Sequence, residues 1–109
     1  MIRFETNVRI AQWTGAFEAI FLNSSMWSNR SGQGVVINSI DDGKHGTDTL
    51  HGLSLAVDLD TEGDDPKDLE SLFQYLRRTM PAQYDVIFEG DHVHVEWDVK
   101  RNESRIPKK

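Results

Sequence analysis

The sequence predicts an α+β domain in which helices pack on a small, mostly antiparallel sheet. Three observations lead to this fold class. Residues 63–80 have the periodicity of an amphipathic helix, residues 34–40 and 53–60 have the composition of strands, and residues 84–98 resemble a β-hairpin. The predicted order is helix, strand, loop, strand, helix and hairpin.

The N-terminal third predicts a helical segment, a loop and a buried strand. Apolar residues between 5 and 22 follow helical spacing imperfectly, with Gly15 in the middle, so the pattern fits one helix or two short ones. The polar run "NSSMWSNRSGQG" (23–34) predicts a loop. The β-branched run "GVVINSI" (34–40) predicts a buried strand bounded by glycine.

The middle of the chain predicts a loop followed by a half-buried strand. "DDGKHGTDTLHG" (41–52) is rich in turn-forming residues and predicts a long loop. "LSLAVDLD" (53–60) alternates, so its leucines and Val57 should face the core while Asp58 and Asp60 face the other way.

The strongest local signals lie between residues 63 and 98. Asp65 is suited to cap a helix and Pro66 to begin it, and an apolar stripe follows at spacings of three and four. "YDVIFE" and "HVHVEWD" then predict two paired strands joined at Gly90-Asp91.

Composition limits the classes of function. The net charge of −6 argues against nucleic-acid binding by simple electrostatics, and the lack of cysteine excludes thiolate metal sites. No run is long and apolar enough to predict a membrane span or a secretory signal. The end of the chain is basic, so we expect one domain over residues 1–98 and a solvated tail over 99–109.

The four histidines are confined to two short segments, residues 44–58 and 89–98. On a strand His92, His94 and Glu96 share one face. If the strand containing Asp58 lies nearby, His51, Asp58 and His94 can converge. Two imidazoles, a carboxylate and an open position for water predict a catalytic zinc site.

Two other metal sites fit the spacing less well. Iron oxygenases with two histidines and one carboxylate usually begin with His-x-Asp, whereas His51 and Asp58 are seven residues apart. "HVHVE" is similar to the opening of a cupin site, but no later histidine completes it.

"TLHGLSLAVD" (49–58) resembles the S-x-H-x-x-G-x-A-x-D motif of the zinc D-Ala-D-Ala carboxypeptidases and L-alanyl-D-glutamate endopeptidases. "DHVH" (91–94) resembles the second motif of that family, which includes phage endolysins and has the hedgehog/DD-peptidase fold. The resemblance covers roughly residues 34–97. Thr49 replaces the usual serine and Ser54 the usual glycine.

The resemblance implies a role for each matching residue. His51, Asp58 and His94 match the zinc ligands, Asp91 matches the catalytic carboxylate, and His92 matches the histidine that assists in the transition state. Three further residues are candidates for the wall of the site: His45, Thr49 and Glu96.

The resemblance also implies an activity, which is zinc-dependent hydrolysis of a peptide bond in the peptidoglycan stem. The bond is either D-Ala-D-Ala or L-Ala-D-Glu. We expect a monomeric protein of phage or prophage origin. It is expected to be made in the bacterial cytoplasm and to act at the cell wall or periplasm, either after escorted export or as part of a virion. We expect neither nucleic acid nor membrane as a partner.

The alternatives are a metal-binding structural or interaction module of the same fold without turnover, such as a virion or tail component, and a peptidase or amidase acting on another substrate.

Overall fold

Over the residues that the structure describes, the chain folds as an α+β domain with a five-stranded, mostly antiparallel sheet and two helices, which confirms the predicted fold class. The computed structural model of the protein describes residues 1–5, 8, 15–44 and 53–98. The strands are β1 (Ile2–Phe4), β2 (Val35–Lys44), β3 (Leu53–Thr61), β4 (Tyr84–Phe88) and β5 (Val93–Asp98), and the helices are α1 (Gly15–Ser31) and α2 (Pro66–Thr79).

The sheet has the strand order β1-β2-β3-β5-β4. Among the described strands, β1 and β2 pair in parallel, while β2 with β3, β3 with β5 and β4 with β5 pair antiparallel. This order places β3 beside β5, so the strand that carries Asp58 is paired with the strand that carries His94.

The core lies between the two helices and one face of the sheet. Alternation within β3 and β5 works as predicted, since Leu55, Val57 and Leu59 are buried along with Val93 and Val95. The opposite face of these strands carries carboxylates and imidazoles that are only partly buried.

Helix α2 begins and ends close to where its sequence predicts. Asp65 accepts a hydrogen bond from the backbone N–H of Lys67 at 2.9 Å, and Pro66 is the first helical residue. Leu69, Leu72 and Leu76 are buried in the core.

The first half of the chain differs from its prediction in several ways, and Glu5 and Val8, within the predicted helical segment, are not helical. Residues 23–31 are helical rather than loop, because α1 runs from Gly15 to Ser31 and buries Ser24, Trp27 and Ser28. A short strand, β1, precedes it and was not predicted. The predicted loop at 41–52 is partly wrong, since β2 continues to Lys44, and the remainder of that segment lies outside the described residues.

Candidate functional site

Asp58 and His94 form the centre of the candidate site. They are direct partners in the antiparallel register of β3 and β5, on the face of the sheet away from the core. The Nδ1 atom of His94 lies 2.7 Å from Oδ1 of Asp58, within hydrogen-bond distance. Their side chains are 23% and 32% exposed, so both are open to solvent or a ligand.

Ser39 of β2 completes this cross-strand group. Its hydroxyl donates a hydrogen bond to Oδ2 of Asp58 at 3.0 Å. The two oxygens of Asp58 therefore have different partners, a hydroxyl from β2 on one side and an imidazole from β5 on the other.

The hairpin between β4 and β5 brings a second pair of polar side chains to the site. The Nδ1 atom of His92 lies 2.6 Å from Oδ1 of Asp91, and its Nε2 atom lies 3.8 Å from Oδ1 of Asp58. A backbone hydrogen bond from Glu89 to His92 closes the turn, and Gly90 has φ +96°, a conformation that glycine adopts readily.

The ionisation of these groups follows from their contacts. Burial lowers the pKa of His94, but its hydrogen bonds and charge interactions with Asp58 and Glu96 raise it more, so the pKa lies above its ordinary value. Glu96 contributes through Oε1, 3.7 Å from Nε2 of His94. The hydrogen bond with His92 and the charge of that imidazole lower the pKa of Asp91.

The structure therefore brings together five of the residues singled out from the sequence, which are Asp58, Asp91, His92, His94 and Glu96. The other three, His45, Thr49 and His51, lie outside the described residues. Among the residues that are described, no three or more His, Asp or Glu side chains are arranged to hold a metal ion. The predicted zinc ligands are His51, Asp58 and His94. Because His51 lies outside the described residues, its assignment as a ligand stays a prediction.

The donor atoms of Asp58 and His94 fit zinc in chemistry and nearly in position. Two ligand atoms of one tetrahedral zinc, each bound at about 2.0–2.2 Å, lie roughly 3.3–3.6 Å apart. The 2.7 Å contact between these side chains is shorter, so they must separate by somewhat less than 1 Å to share a metal. Rotation of the partly exposed His94 side chain can supply that movement.

A cleft of about 420 Å³ lies between the hairpin turn and the start of α2, and His92 lines it. Its lining includes Asp60, Asp64, Asp65, Asp91 and His92. The pKa of Asp60 lies above its ordinary value, mainly because burial raises it. A hydrogen bond from the backbone N–H of Thr61 lowers this pKa, but the nearby charges of Asp64 and Asp91 raise it further. An acidic cleft of this kind favours a cationic group over an anionic one.

Two residues of this region were missed from the sequence as members of the site. Alternation places Asp60 on the same face as Asp58, two residues along β3, and this signal could have included it. Ser39 gives no such signal, because a β-bulge between Ile37 and Ser39 decides which β2 residue lies beside Asp58.

Comparison with models of protein families finds no match for this chain. A search of curated proteins finds none either. Within the described residues, no helix combines the length and apolar character needed to cross a membrane.

Proposed function

We propose that the protein is a zinc metallopeptidase that hydrolyses a peptide bond in the peptidoglycan stem. The observation that carries this proposal is the contact between Asp58 and His94, which are 36 residues apart in the chain. These residues belong to two separate motifs, and a zinc site of the proposed kind requires those motifs to meet on one exposed face of the sheet.

In the proposed site, His51, Asp58 and His94 hold the zinc. Zinc, when bound, supplies Lewis-acid chemistry that polarises a carbonyl group and makes a water molecule more acidic. The partial exposure of Asp58 and His94 leaves room for a substrate to reach this position.

Asp91 and His92 carry the proton and charge movements of the proposed reaction. Asp91 accepts a proton from the attacking water and returns it to the departing amine. His92 donates a hydrogen bond to the oxygen that becomes negatively charged in the transition state. The 2.6 Å contact between the two fits these roles when both ring nitrogens of His92 carry a proton, because the Nδ1–H then donates to Asp91 and the Nε2–H is available to that oxygen.

The neighbouring cleft is proposed to receive part of the stem peptide. Its volume of about 420 Å³ lies within the range typical of sites for small ligands. The protein is proposed to act as a monomer at the cell wall or periplasm, after escorted export or as a virion component, and to have a phage or prophage origin. The hedgehog/DD-peptidase fold is part of the same proposal.

Digestion of purified peptidoglycan, with and without a chelator, tests this function. Mass analysis of the products should show fragments cut within the stem, at D-Ala-D-Ala or at L-Ala-D-Glu. Cutting should stop with chelator and return when zinc is restored. Release of stem fragments that is indifferent to chelator would exclude the zinc mechanism, and cutting confined to other peptides or amides would favour a different substrate.

One observation favours the second candidate, a metal-binding structural module without turnover. Asp91 is 90% exposed, and its contact with His92 lowers its pKa. A general base works best when its pKa is near the working pH, so a carboxylate with a lowered pKa is a weaker base. Zinc binding without any cutting of stem peptides would support this module.

A further inference from the structure

Ser39 occupies a position that neither sequence motif includes, yet its hydroxyl reaches the carboxylate at the centre of the site. It donates to Oδ2 of Asp58 at 3.0 Å, while Oδ1 faces Nδ1 of His94 at 2.7 Å and Nε2 of His92 at 3.8 Å. One oxygen of Asp58 is thus held by β2, and the other faces both imidazoles.

A β-bulge in β2 creates this contact. Ile37 pairs with Leu59, but the next pair along the ladder joins Ser39 to Asp58, so Asn38 is the extra residue. Beyond the bulge, Ile40 pairs with Val57 and packs against the core. In a regular strand Asn38 would stand opposite Asp58, so the bulge is the reason that a short hydroxyl side chain takes that place.

We propose that Ser39 is a positioning residue for the metal site, an inference that rests on the proposed function. Its hydrogen bond fixes the rotation of the Asp58 carboxylate and occupies Oδ2, so that Asp58 binds the metal through Oδ1 alone. Partners of this kind orient metal ligands, and their loss typically weakens metal binding about 10- to 100-fold. Because Ser39 is exposed and water can partly replace its hydroxyl, we expect the lower end of that range, about tenfold.

Three substitutions separate the hydroxyl from the shape of the side chain. Ser39→Ala removes the hydroxyl. Ser39→Val and Ser39→Thr introduce β-branched side chains that suit a strand and have nearly the same shape as each other. Of the two, only threonine keeps the hydroxyl. Ser25→Ala, on helix α1 and therefore across the core from this face, serves as the control for loss of a serine elsewhere.

The experiment uses the full chain and Co²⁺ as the probe, because its visible spectrum reports coordination number. Each variant is titrated with Co²⁺ and then with competing Zn²⁺, and thermal melting without metal checks that it is folded. Ser39→Ala and Ser39→Val should bind about tenfold more weakly than wild type, with a less intense spectrum if Asp58 adds its second oxygen. Ser39→Thr and Ser25→Ala should match wild type in affinity.

The results distinguish this inference from the proposed function. If wild type binds Co²⁺ and Ser39→Val keeps the wild-type affinity and spectrum, Ser39 does not position the ligand, and the peptidase proposal is unaffected. Equal weakening in Ser39→Thr and Ser39→Val would likewise overturn the role of the hydroxyl. A folded wild-type protein that binds neither metal would overturn both the role of Ser39 and the proposed zinc site.

Discussion

Asp91 has two roles open to it at the site, as the proton acceptor of the proposed reaction and as the partner of His92. It lies in the turn of the β4–β5 hairpin, 90% exposed, with its carboxylate 2.6 Å from the imidazole. Substitution by asparagine nearly preserves its shape and its ability to accept a hydrogen bond, but removes its ability to accept and return a proton.

We therefore expect Asp91→Asn to keep the fold and the zinc while stem-peptide hydrolysis falls by about 10²–10⁴-fold, the usual contribution of general acid–base catalysis. Initial rates and zinc content are measured on the same samples. His94→Ala is the contrasting variant, since it should lose zinc and activity together. If Asp91→Asn hydrolyses stem peptides as fast as wild type, Asp91 is not the general base, and Glu89 and His92 are the next candidates.

His94 should make zinc binding depend on pH. A histidine ligand must lose its proton before it binds a metal. The contacts with Asp58 and Glu96 raise the pKa of His94 despite burial, so protons compete with zinc at a higher pH than for an ordinary imidazole. Zinc affinity should therefore rise with pH until the pKa of His94 is passed, and fall as the pH drops through that pKa.

Calorimetric titration with zinc at several pH values, in buffers of different ionisation enthalpy, measures both the affinity and the protons released. Glu96→Gln removes one of the charges that raise the pKa of His94, so its affinity should begin to fall at a lower pH than that of wild type. Zinc affinity that is constant through the neutral range would contradict ligation by His94.

At the scale of helices and strands, the sequence predicts α2 and the hairpin well because their signals are local. The cap at Asp65, the proline at the first helical position and the apolar stripe all concern neighbouring residues. The same holds for Gly90 in the hairpin turn.

Helix α1 was predicted poorly because contacts distant in sequence stabilise its second half. Trp27 donates a hydrogen bond to Ser71 of α2, and Ser28 contacts Met1. Serine and asparagine have modest helix propensity, so their run at 23–25 suggested a loop that tertiary packing overrides. Strand β1 has only three residues, and its partner β2 lies some thirty residues away.

The candidate site likewise has features that local sequence predicts and features that depend on contacts distant in sequence. The shared face of His92, His94 and Glu96 follows from alternation, but the pairing of β3 with β5 depends on the order of strands in the sheet. Alternation also could not reveal the contact of Ser39 with Asp58, because the bulge at Asn38 changes the register of β2.

The cap of α2 gives a prediction for stability. Asp65→Ala removes the hydrogen bond to the N–H of Lys67 and should lower the free energy of unfolding by about 0.5–2 kcal/mol. Asp68→Ala is the matched control, because it removes a negative charge from the same first turn without removing the cap. Urea denaturation measures both, and equal losses would show that charge rather than capping accounts for the effect.

At the scale of the whole molecule, the predicted domain boundary at residue 98 separates an acidic domain from a basic tail. Deletion of residues 99–109 should leave melting temperature and zinc content unchanged, because the segment lacks apolar periodicity and contains Pro107. Binding to intact cell walls at low salt should weaken, since anionic wall polymers attract basic segments.

The comparison uses the truncated and full-length proteins on soluble stem peptides and on intact walls. Equal rates on the soluble peptides and a salt-dependent difference on walls would assign the tail to wall binding. Unfolding on truncation would show that the boundary is wrong.

Zinc stoichiometry tests the central claim most directly, since both the proposed reaction and the role of Ser39 require the metal. Elemental analysis after zinc loading and removal of free metal should give one zinc per chain for wild type. Asp58→Ala and His94→Ala should give none, while Asp60→Ala, two residues along the same face of β3, should keep it. Folded wild-type protein that holds no stoichiometric zinc after loading would contradict the zinc site, and retention by Asp58→Ala and His94→Ala would place any zinc elsewhere.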